Sequence, residues 1–335
     1  MIISKTPFRI SFTGGGSDLP AFYLKNTGKV VSTSINKYIY ITVNKLSEYF
    51  DYSFLLKYSK TEMCNSVDEI QHPIIKAVLK KMKIHERIEI TSMADLPAGT
   101  GLGSSSSYTV GLLNALYSYQ GKCVSKEQLA QEACEIEIDI LNEPIGKQDQ
   151  YAASFGGFNV FKFNKDNTVT INPVICTSEI KDNLFNNLLL FYTGITRKAS
   201  DILTEQKKNT SVDDRTVEYL TRMVDQCDPF LAGLSRDSSL PLTEIGYILH
   251  TSWSYKKLLV NSITDLKIDN YYNMALNSGA VGGKLLGAGG GGCLLFYVEK
   301  HNQKDVRKSL FNLREVDFTF ELRTSDLFPG RDARH

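Results

Sequence analysis

Clustered glycines ahead of a run of serines are the first feature of this sequence that could do chemistry. Three short segments, residues 14–16, 99–103 and 279–292, hold 14 of the 24 glycines. The middle segment, Leu96-Pro-Ala-Gly-Thr-Gly-Leu-Gly-Ser-Ser-Ser-Ser107, leads into a stretch whose apolar residues recur at helical spacing. Because glycine leaves backbone N–H groups free to face a ligand at a helix N-terminus, this segment predicts a phosphate cradle. We therefore expect a nucleotide at this loop.

Two common nucleotide signatures are excluded. The sequence contains no G-x-x-x-x-G-K-[ST] pattern, so the loop is not of the Walker type. Gly287, Gly289 and Gly292 satisfy G-x-G-x-x-G, but the strand-like run 293–298 follows where a Rossmann fold needs a helix. This excludes a Rossmann dehydrogenase, and a tight hairpin or helix-to-strand turn is the alternative interpretation of the third glycine segment.

A helix predicted from Ser125 carries carboxylates that could bind a metal ion. A capping-box pattern marks its start, and an apolar stripe recurs at helical spacing through Leu129, Ala133, Ile136 and Ile140. At about 100° per residue, Glu132 and Glu137 lie at the two margins of this stripe. Periodicity does not separate these margins, and a solvated charge at the helix edge is the alternative for each glutamate.

The elements that must position these groups mix strands and helices without strict βαβα alternation. Phe8, Ile10 and Phe12 alternate with polar residues, which predicts a strand over residues 8–13 with Arg9 pointing away from the core. Other segments predict strands at 35–43, 158–163 and 187–192, helices at 104–119 and within 197–275, a glycine turn feeding a strand in 279–298, and a loose tail at 329–335. This mixture predicts an α+β fold, and a length of 335 residues favours two domains.

Composition excludes several classes of protein. Lys plus Arg number 38 and Asp plus Glu 37, so no strong field attracts nucleic acid or anionic lipid. The longest apolar run, residues 293–298, is far too short to span a membrane, and the N-terminus lacks a secretory signal pattern. The six cysteines form no C-x-x-C pair and the histidines no zinc spacing. We expect a cytoplasmic protein with reduced thiols and no built-in transition metal.

Three segments in order resemble the GHMP kinases, named for galactokinase, homoserine kinase, mevalonate kinase and phosphomevalonate kinase. They are Thr6-Pro-Phe-Arg-Ile-Ser-Phe-Thr-Gly-Gly-Gly-Ser-Asp18, Pro97-x-x-x-Gly101-Leu-Gly-Ser-Ser105 and Lys284-Leu-Leu-Gly-Ala-Gly-Gly-Gly-Gly292. Within the family, Phe12-Thr-Gly-Gly-Gly-Ser-Asp-Leu-Pro20, Glu143-Pro-Ile-Gly-Lys-Gln-Asp-Gln150 and Tyr192-Thr-Gly-Ile-Thr-Arg197 are similar to the bacterial D-glycero-D-manno-heptose 7-phosphate kinases.

The resemblance implies an α+β fold with a mixed ATP-binding N-terminal domain, residues 1–180, and a ferredoxin-like C-terminal domain, residues 181–335. The active site would lie between them. ATP would bind the middle motif through Pro97, Gly99, Gly101, Leu102, Gly103, Ser104, Ser105 and Ser106. The resemblance also assigns Mg²⁺ to Ser105 and Glu137. For the serines, a helix N-cap is the structural alternative.

The resemblance implies a catalytic pair of opposite charge. Asp149 matches the aspartate that takes the proton from the acceptor hydroxyl, and Arg9 matches the basic residue that pairs with it. Without the family, a buried structural salt bridge would be the default interpretation of these two residues.

For the acceptor, the resemblance implies transfer to the C1 hydroxyl of a heptose 7-phosphate, giving the 1,7-bisphosphate on the route to nucleotide-activated heptose for surface polysaccharide. Galactokinases carry Glu-His where this chain has Gly15 and Gly16, which cuts back the pocket floor and suits a bulkier sugar. The expected substrate-binding residues are Ser11, Gly14, Gly15, Gly16, Ser17, Asp18, Gly194, Arg197, Gly289 and Gly290. Arg197 with Lys198 could hold a distal phosphate, or could simply be a solvated helix start.

Two alternative functions are compatible with the sequence: a GHMP kinase for another sugar such as fucose, and a sensor that binds sugar and ATP without phosphoryl transfer. Because the chain retains Ser105, Glu137, Asp149 and Arg9, it favours an enzyme over a sensor. No nucleic-acid or membrane partner is expected, and the sequence leaves open whether the protein is a monomer or a dimer.

Overall fold

A computed structural model describes residues 1–196, 198–236, 238–321 and 324–329. Within these residues the strands form two sheets. The larger sheet contains nine strands: Ile2–Thr13 (β1), Gly28–Lys45 (β2), Phe54–Lys57 (β3), Thr61–Cys64 (β4), Ile88–Ala94 (β5), Phe158–Phe163 (β6), Val169–Pro173 (β7), Phe320–Glu321 (β12) and Asp326–Pro329 (β13). The smaller sheet contains Leu188–Tyr192 (β8), Gly282–Leu285 (β9), Cys293–Tyr297 (β10) and Arg314–Glu315 (β11).

The helices lie between and beside these strands. They are Pro20–Tyr23 (α1), Pro73–Lys81 (α2), Ser104–Tyr119 (α3), Lys126–Cys134 (α4), Gln148–Phe155 (α5), Ser178–Asn186 (α6), Ala199–Val212 (α7), Asp214–Asp225 (α8), Cys227–Gly233 (α9), Glu244–Lys257 (α10), Leu266–Asn277 (α11) and Gln303–Ser309 (α12). Short 3₁₀ turns span Val67–Glu69 and Asn261–Ile263, and a π-helical segment spans Glu135–Ile140.

The first strand follows its predicted alternation. Phe8, Ile10 and Phe12 are fully buried in the main core, where β1 pairs antiparallel with β2. Arg9 lies on the opposite face, as the period of two predicts. It is nevertheless only 4% exposed, because that face lies under a cleft rather than in solvent.

The predicted helix at 104–119 is confirmed as α3, with Val110, Leu113 and Leu116 fully buried. The capping residue of the next helix is confirmed too, because the Ser125 hydroxyl accepts from the backbone N–H of Gln128 at 3.1 Å. The apolar stripe of that helix is wrong at its end, since Ile140 is 45% exposed. The π-helical segment advances fewer degrees per residue than an α-helix, so it rotates Ile140 out of the core and Glu137 into it.

The smaller sheet has the strand order β11-β8-β10-β9, and all its described pairings are antiparallel. Helices separate β8 from β9 and β10 from β11, which gives the ferredoxin-like βαββαβ arrangement expected for the second half. The third glycine segment forms a hairpin turn between β9 and β10.

The chain end returns to the larger sheet. β12 pairs with β2, and β13 pairs antiparallel with β1 from Ile2 to Lys5. The domain boundary at residue 180 therefore stays a prediction. The chain after this residue forms the smaller sheet and also contributes β12 and β13 to the larger one. Of the predicted tail, residues 330–335 lie outside the described part of the chain. Among the described residues, no helix is long and apolar enough to cross a membrane.

Candidate active site

The middle glycine segment forms a tight loop at the start of α3. Gly99, Gly101 and Gly103 have φ angles of 79°, 76° and 77°, a left-handed conformation that favours glycine. Gly103 occupies the N-cap position, and no side chain of the described residues caps the helix. The first N–H groups of α3 are therefore available to an anion, and the helix dipole adds positive potential there.

The third glycine segment supports this loop from behind. A Cβ at Gly101 would lie 2.4 Å from the Leu286 carbonyl oxygen, and a Cβ at Gly287 would lie 2.5 Å from the Gly101 Cα. The Cys293 N–H also donates to the Thr100 carbonyl at 3.0 Å. Glycine at these positions lets two backbones touch directly. The third glycine segment is therefore a hairpin, as the alternative interpretation of the sequence expected. Its backbone contacts help to fix the conformation of the middle glycine loop.

Glu137 lies under the serines of this loop. Its carboxylate accepts hydrogen bonds from the Ser105 hydroxyl at 2.8 Å, the Ser106 hydroxyl at 2.7 Å and the Gln150 amide at 2.7 Å. The side chain is almost completely buried, and burial raises the pKa of Glu137, partly offset by these donors. Glu132, the other candidate, instead accepts from the Tyr117 hydroxyl.

The surroundings of Glu137 fit a divalent cation. Among the described residues, no lysine, arginine or histidine forms an ion pair with this buried carboxylate. Gln150 also keeps a buried Oε1 without a hydrogen-bond partner in the described part of the chain. Carboxylate, hydroxyl and amide oxygens are the ligands that Mg²⁺ prefers. Ser105 and Glu137 are thus residues that could hold it beside bound phosphates.

Arg9 and Asp149 form the charged centre of the cleft. Arg9 donates from Nε and Nη2 to the two carboxylate oxygens of Asp149, both at 2.8 Å, and from Nη1 to the Gly101 carbonyl at 2.6 Å. The Arg9 side chain is 5% exposed and that of Asp149 28%. Gln148 donates to Asp149 as well, at 2.8 Å. One guanidinium thus connects the phosphate loop to a carboxylate that keeps access to the cleft.

Asp18 lines the cleft beside the first glycine turn. Its oxygens accept from the backbone N–H groups of Gly16 at 3.1 Å and Gln148 at 3.0 Å. Burial raises the pKa of Asp18, and the negative charge of Asp149 adds to this rise against the effect of the backbone donors. Ser11 donates to the Gln148 side chain at 2.9 Å, so Gln148 connects Ser11, Asp18 and Asp149.

Two lysines that the sequence analysis gave no role lie beside these groups. Lys284 on β9 donates to the Phe12 carbonyl at 2.9 Å, and Lys256 on α10 donates to the Gly287 carbonyl. Both are buried, and burial together with the nearby Arg9 charge lowers the pKa of Lys256 to about 7. Burial and the Lys256 charge lower the pKa of Lys284 well below its usual value. The sequence could have indicated that Lys256 is buried, because it continues the helical stripe of buried residues on α10. That stripe consists of Ile245, Leu249, Ser252 and Trp253.

These residues surround a cleft of about 390 Å³. Of the predicted site residues, it is lined by Arg9, Ser11, Gly15, Gly16, Asp18, Gly99, Gly101, Gly103, Ser104, Ser105, Ser106 and Asp149. A larger groove of about 730 Å³, beside Lys29 and Asp228, contains none of these groups. Chemistry rather than volume therefore identifies the candidate site.

Several predicted site residues lie elsewhere and support the cleft from outside it. Gly289 and Gly290 pack on Ile263, whose carbonyl accepts from the Gly290 N–H at 2.8 Å. Leu102 is fully buried in the core, and Ser17 donates to the Gly14 carbonyl at 2.7 Å within its own turn. The cleft lining also excludes Pro97, Gly194 and Glu137, the last of which lies behind the lining residues Ser105 and Ser106. Arg197 lies outside the described residues.

Comparison with known proteins agrees with this fold. The profile of the GHMP kinases N terminal domain matches residues 69–157, and that of the GHMP kinases C terminal domain matches residues 242–313. A D-glycero-alpha-D-manno-heptose 7-phosphate kinase from Campylobacter jejuni is 31% identical over 96% of this chain and 97% of its own length. An L-fucokinase/L-fucose-1-P guanylyltransferase from Bacteroides fragilis is 25% identical over 92% of this chain and 35% of its own length.

Among solved structures, a D-glycero-D-manno-heptose 1-phosphate kinase from Bacteroides thetaiotaomicron superposes with a TM-score of 0.81. It covers 99% of this chain and 100% of its own at 24% identity, so it supports the fold. The full-length likeness at 31% identity and the two matching domains decide the family. The chain belongs to the GHMP kinases and is an ATP-dependent kinase with a hydroxyl group as acceptor.

Proposed function

We propose that this kinase phosphorylates a sugar, the acceptor being the anomeric C1 hydroxyl of D-glycero-D-manno-heptose 7-phosphate and the product the 1,7-bisphosphate. The observation that carries the proposal is the Arg9–Asp149 pair, which lies between the glycine loop and the acceptor side of one cleft. The heptose assignment is supported by the full-length likeness to the Campylobacter jejuni enzyme. The product would supply nucleotide-activated heptose synthesis in the cytoplasm.

ATP places its phosphates at the N-terminus of α3 in this proposal. Backbone N–H groups of the loop from Gly101 to Ser106 bind the phosphate oxygens, because the helix start leaves them without intrahelical partners. Ser105 and Glu137 are the residues that would hold Mg²⁺, which supplies neutralisation of phosphate charge when bound.

Asp149 then acts as the general base. Its carboxylate accepts the proton of the C1 hydroxyl as the C1 oxygen bonds to the γ-phosphorus and the bond from that phosphorus to the β–γ bridging oxygen breaks, releasing ADP. Arg9 fixes the orientation of the carboxylate through two parallel hydrogen bonds. The hydrogen bond from Arg9 Nη1 to the Gly101 carbonyl fixes the position of the base relative to the phosphate loop.

The remaining acceptor contacts lie on both sides of the cleft. Asp18 and Ser11 line it near the glycine turn, and Lys198 lines it from the start of α7. Lys198 is exposed, which suits a ligand group that stays partly solvated. We propose that it holds the distal phosphate of the sugar together with Arg197.

A fucose-type acceptor is the second candidate, favoured by the likeness to the fucokinase of Bacteroides fragilis. Fucose has no phosphate, so it would leave Lys198 without a ligand partner. A kinase for an unphosphorylated sugar should therefore be insensitive to loss of that cation.

ADP release measured over a panel of sugars decides between the candidates. We expect turnover of heptose 7-phosphate with little on neutral sugars, and a higher KM for heptose 7-phosphate in Lys198→Ala and Arg197→Ala. The matched control is Lys208→Ala, a change at an exposed lysine on the same helix. Full activity on fucose with none on heptose 7-phosphate would remove the heptose assignment.

A further inference from the structure

Helix α7 forms one wall of the acceptor cleft. Ser200, Leu203 and Gln206 recur every three residues along it and all line the cleft. Such spacing places side chains on one face of a helix. Ser200 is half-buried near the start of the helix, whereas Gln206 is 2% exposed. Gln206 is therefore the innermost polar group that α7 presents to the cleft.

The amide of Gln206 is incompletely satisfied. Its Nε2 is buried and has no hydrogen-bond partner among the described residues. Buried donors in native proteins are nearly always paired, because an unpaired one loses its hydration without replacement. A buried donor that lines a binding cleft is thus a candidate contact for a ligand oxygen.

The position of Gln206 is set by the first glycine turn. A Cβ at Gly16 would lie 2.5 Å from Gln206 Nε2, and the Gly16 N–H donates to Asp18 at 3.1 Å. The space that glycine leaves at position 16 is therefore filled by the Gln206 amide rather than left open to the sugar, which corrects the predicted cut-back floor at that position. At Gly15, in contrast, an added Cβ would lie 3.7 Å from its nearest neighbour, the Ser11 hydroxyl oxygen. The space at this position is therefore not filled by another side chain among those described.

We propose that Gln206 is a substrate-binding residue whose Nε2–H donates a hydrogen bond to a neutral oxygen of the acceptor sugar. Asp18, whose carboxylate accepts from the Gly16 N–H and lines the same cleft, can accept a hydrogen bond from a sugar O–H. The two together favour a hydroxyl, which both donates and accepts. A phosphate is disfavoured there by the Asp18 carboxylate. The inference depends on this cleft being the acceptor site but not on the sugar being a heptose.

The first test replaces the amide by an unbranched apolar side chain of similar size, Gln206→Met. We expect KM for the sugar to rise about 10-fold, with KM for ATP unchanged and the melting temperature of the free enzyme unchanged or higher, because no buried donor remains unpaired. The control is Glu205→Gln, an exposed position on the same helix, which should change none of the three quantities. A structural role would instead lower the melting temperature and leave the sugar KM as it is, which would overturn the proposal.

A second measurement uses deoxy analogues of whichever sugar the wild-type enzyme phosphorylates. One analogue, lacking the hydroxyl that contacts Gln206, should be a poor substrate for wild type and should lose that penalty in Gln206→Met. Gln206→Asn, which withdraws the donor while keeping the amide, should show the same loss of discrimination if the methionine variant fails to fold. Equal discrimination in wild type and both variants refutes the role of Gln206. Failure of the heptose assignment shows itself separately, as a wild-type enzyme inactive on heptose 7-phosphate.

Discussion

Arg9 holds both carboxylate oxygens of Asp149 at 2.8 Å while its remaining nitrogen donates to the Gly101 carbonyl. The same side chain therefore positions the proposed base and the loop that would bind the phosphates. This geometry explains why a nearly buried arginine belongs on the cleft face of β1. A lysine could not replace it, because a single ammonium lacks the planar fork that makes both bonds at once.

Asp149→Asn tests the base. The amide keeps the size of the side chain but does not accept a proton, so kcat should fall by about 10²- to 10⁴-fold while KM for ATP stays close to wild type. Single-turnover kinetics measure this change directly. Asp182→Asn, a change at an exposed aspartate of α6, is the control and should be fully active. A variant at position 149 with wild-type kcat would contradict the assignment.

Glu137→Gln tests the proposed magnesium site. Removing the charge should raise the Mg²⁺ concentration that gives half-maximal activity by about 10-fold or more, because a hard cation favours an ionised oxygen ligand. Activity titrated with Mg²⁺ at saturating ATP and sugar gives this value. Glu132→Gln is the matched control, since Glu132 accepts from Tyr117 instead of from the loop serines. Equal effects at the two positions would show that Glu137 has no special role.

Gly101→Ala tests the contact between the two glycine segments. The new Cβ would meet the Leu286 carbonyl at 2.4 Å, so the loop must move and KM for ATP should rise about 10-fold. Gly121→Ala separates backbone strain from this collision, because Gly121 has a similar φ of 71° and a Cβ there would have no neighbour within 4 Å among the described residues. We expect the Gly121 variant to lose only about 1 kcal/mol of stability, from its left-handed backbone, and to keep its ATP affinity. Steady-state kinetics and urea unfolding of both variants check the two expectations.

Lys256 should make stability depend on pH. Its folded pKa is lowered to about 7 from the usual 10.5, chiefly by burial, with the Arg9 charge opposing and the Asp18 and Asp149 charges favouring its protonated form. Between pH 7 and 10 the unfolded chain thus binds more protons at this lysine than the folded one. The free energy of unfolding of wild type should therefore rise with pH relative to that of Lys256→Met, by up to about 1.4 kcal/mol per pH unit.

Urea unfolding of both proteins at pH 7 and pH 9.5 measures that difference. Groups that do not interact with Lys256 contribute equally to both proteins, and Lys284, whose pKa the Lys256 charge lowers further, adds to the difference in the same direction. Lys257→Met, at the next position and half-buried, is the control and should follow the wild-type slope. Parallel slopes for wild type and Lys256→Met would show that this lysine keeps its ordinary pKa.

Local patterns were sufficient for much of the fold. The alternation of Phe8, Ile10 and Phe12 places Arg9 on the correct face of β1, since strand geometry has a period of two whatever packs around it. The same holds for α3, whose apolar face follows from spacing alone. The resemblance to the family supplied the pairing of Arg9 with Asp149, which lie 140 positions apart and share no local signal.

The parts that failed depend on tertiary structure or on rare geometry. A π-helical turn has no simple spacing rule, so the stripe through Ile140 was wrong. Periodicity also left the choice between Glu132 and Glu137 open, and only the family resemblance favoured Glu137. Gln206 was missed because a polar residue becomes informative only once its burial is known, whereas Lys256 could have been found from its place on the apolar stripe of α10. Gly289 and Gly290 belong to a glycine segment whose local pattern does not distinguish a ligand contact from a backbone contact with Ile263.

The contact between Gly101 and Gly287 joins positions from opposite halves of the polypeptide. A chain that is still emerging from the ribosome with only its first half complete would have the residues of the nucleotide loop but not the hairpin that holds them in shape. The ability to bind ATP would consequently be among the last properties this kinase acquires as it is synthesised. An incomplete chain would therefore not bind nucleotide.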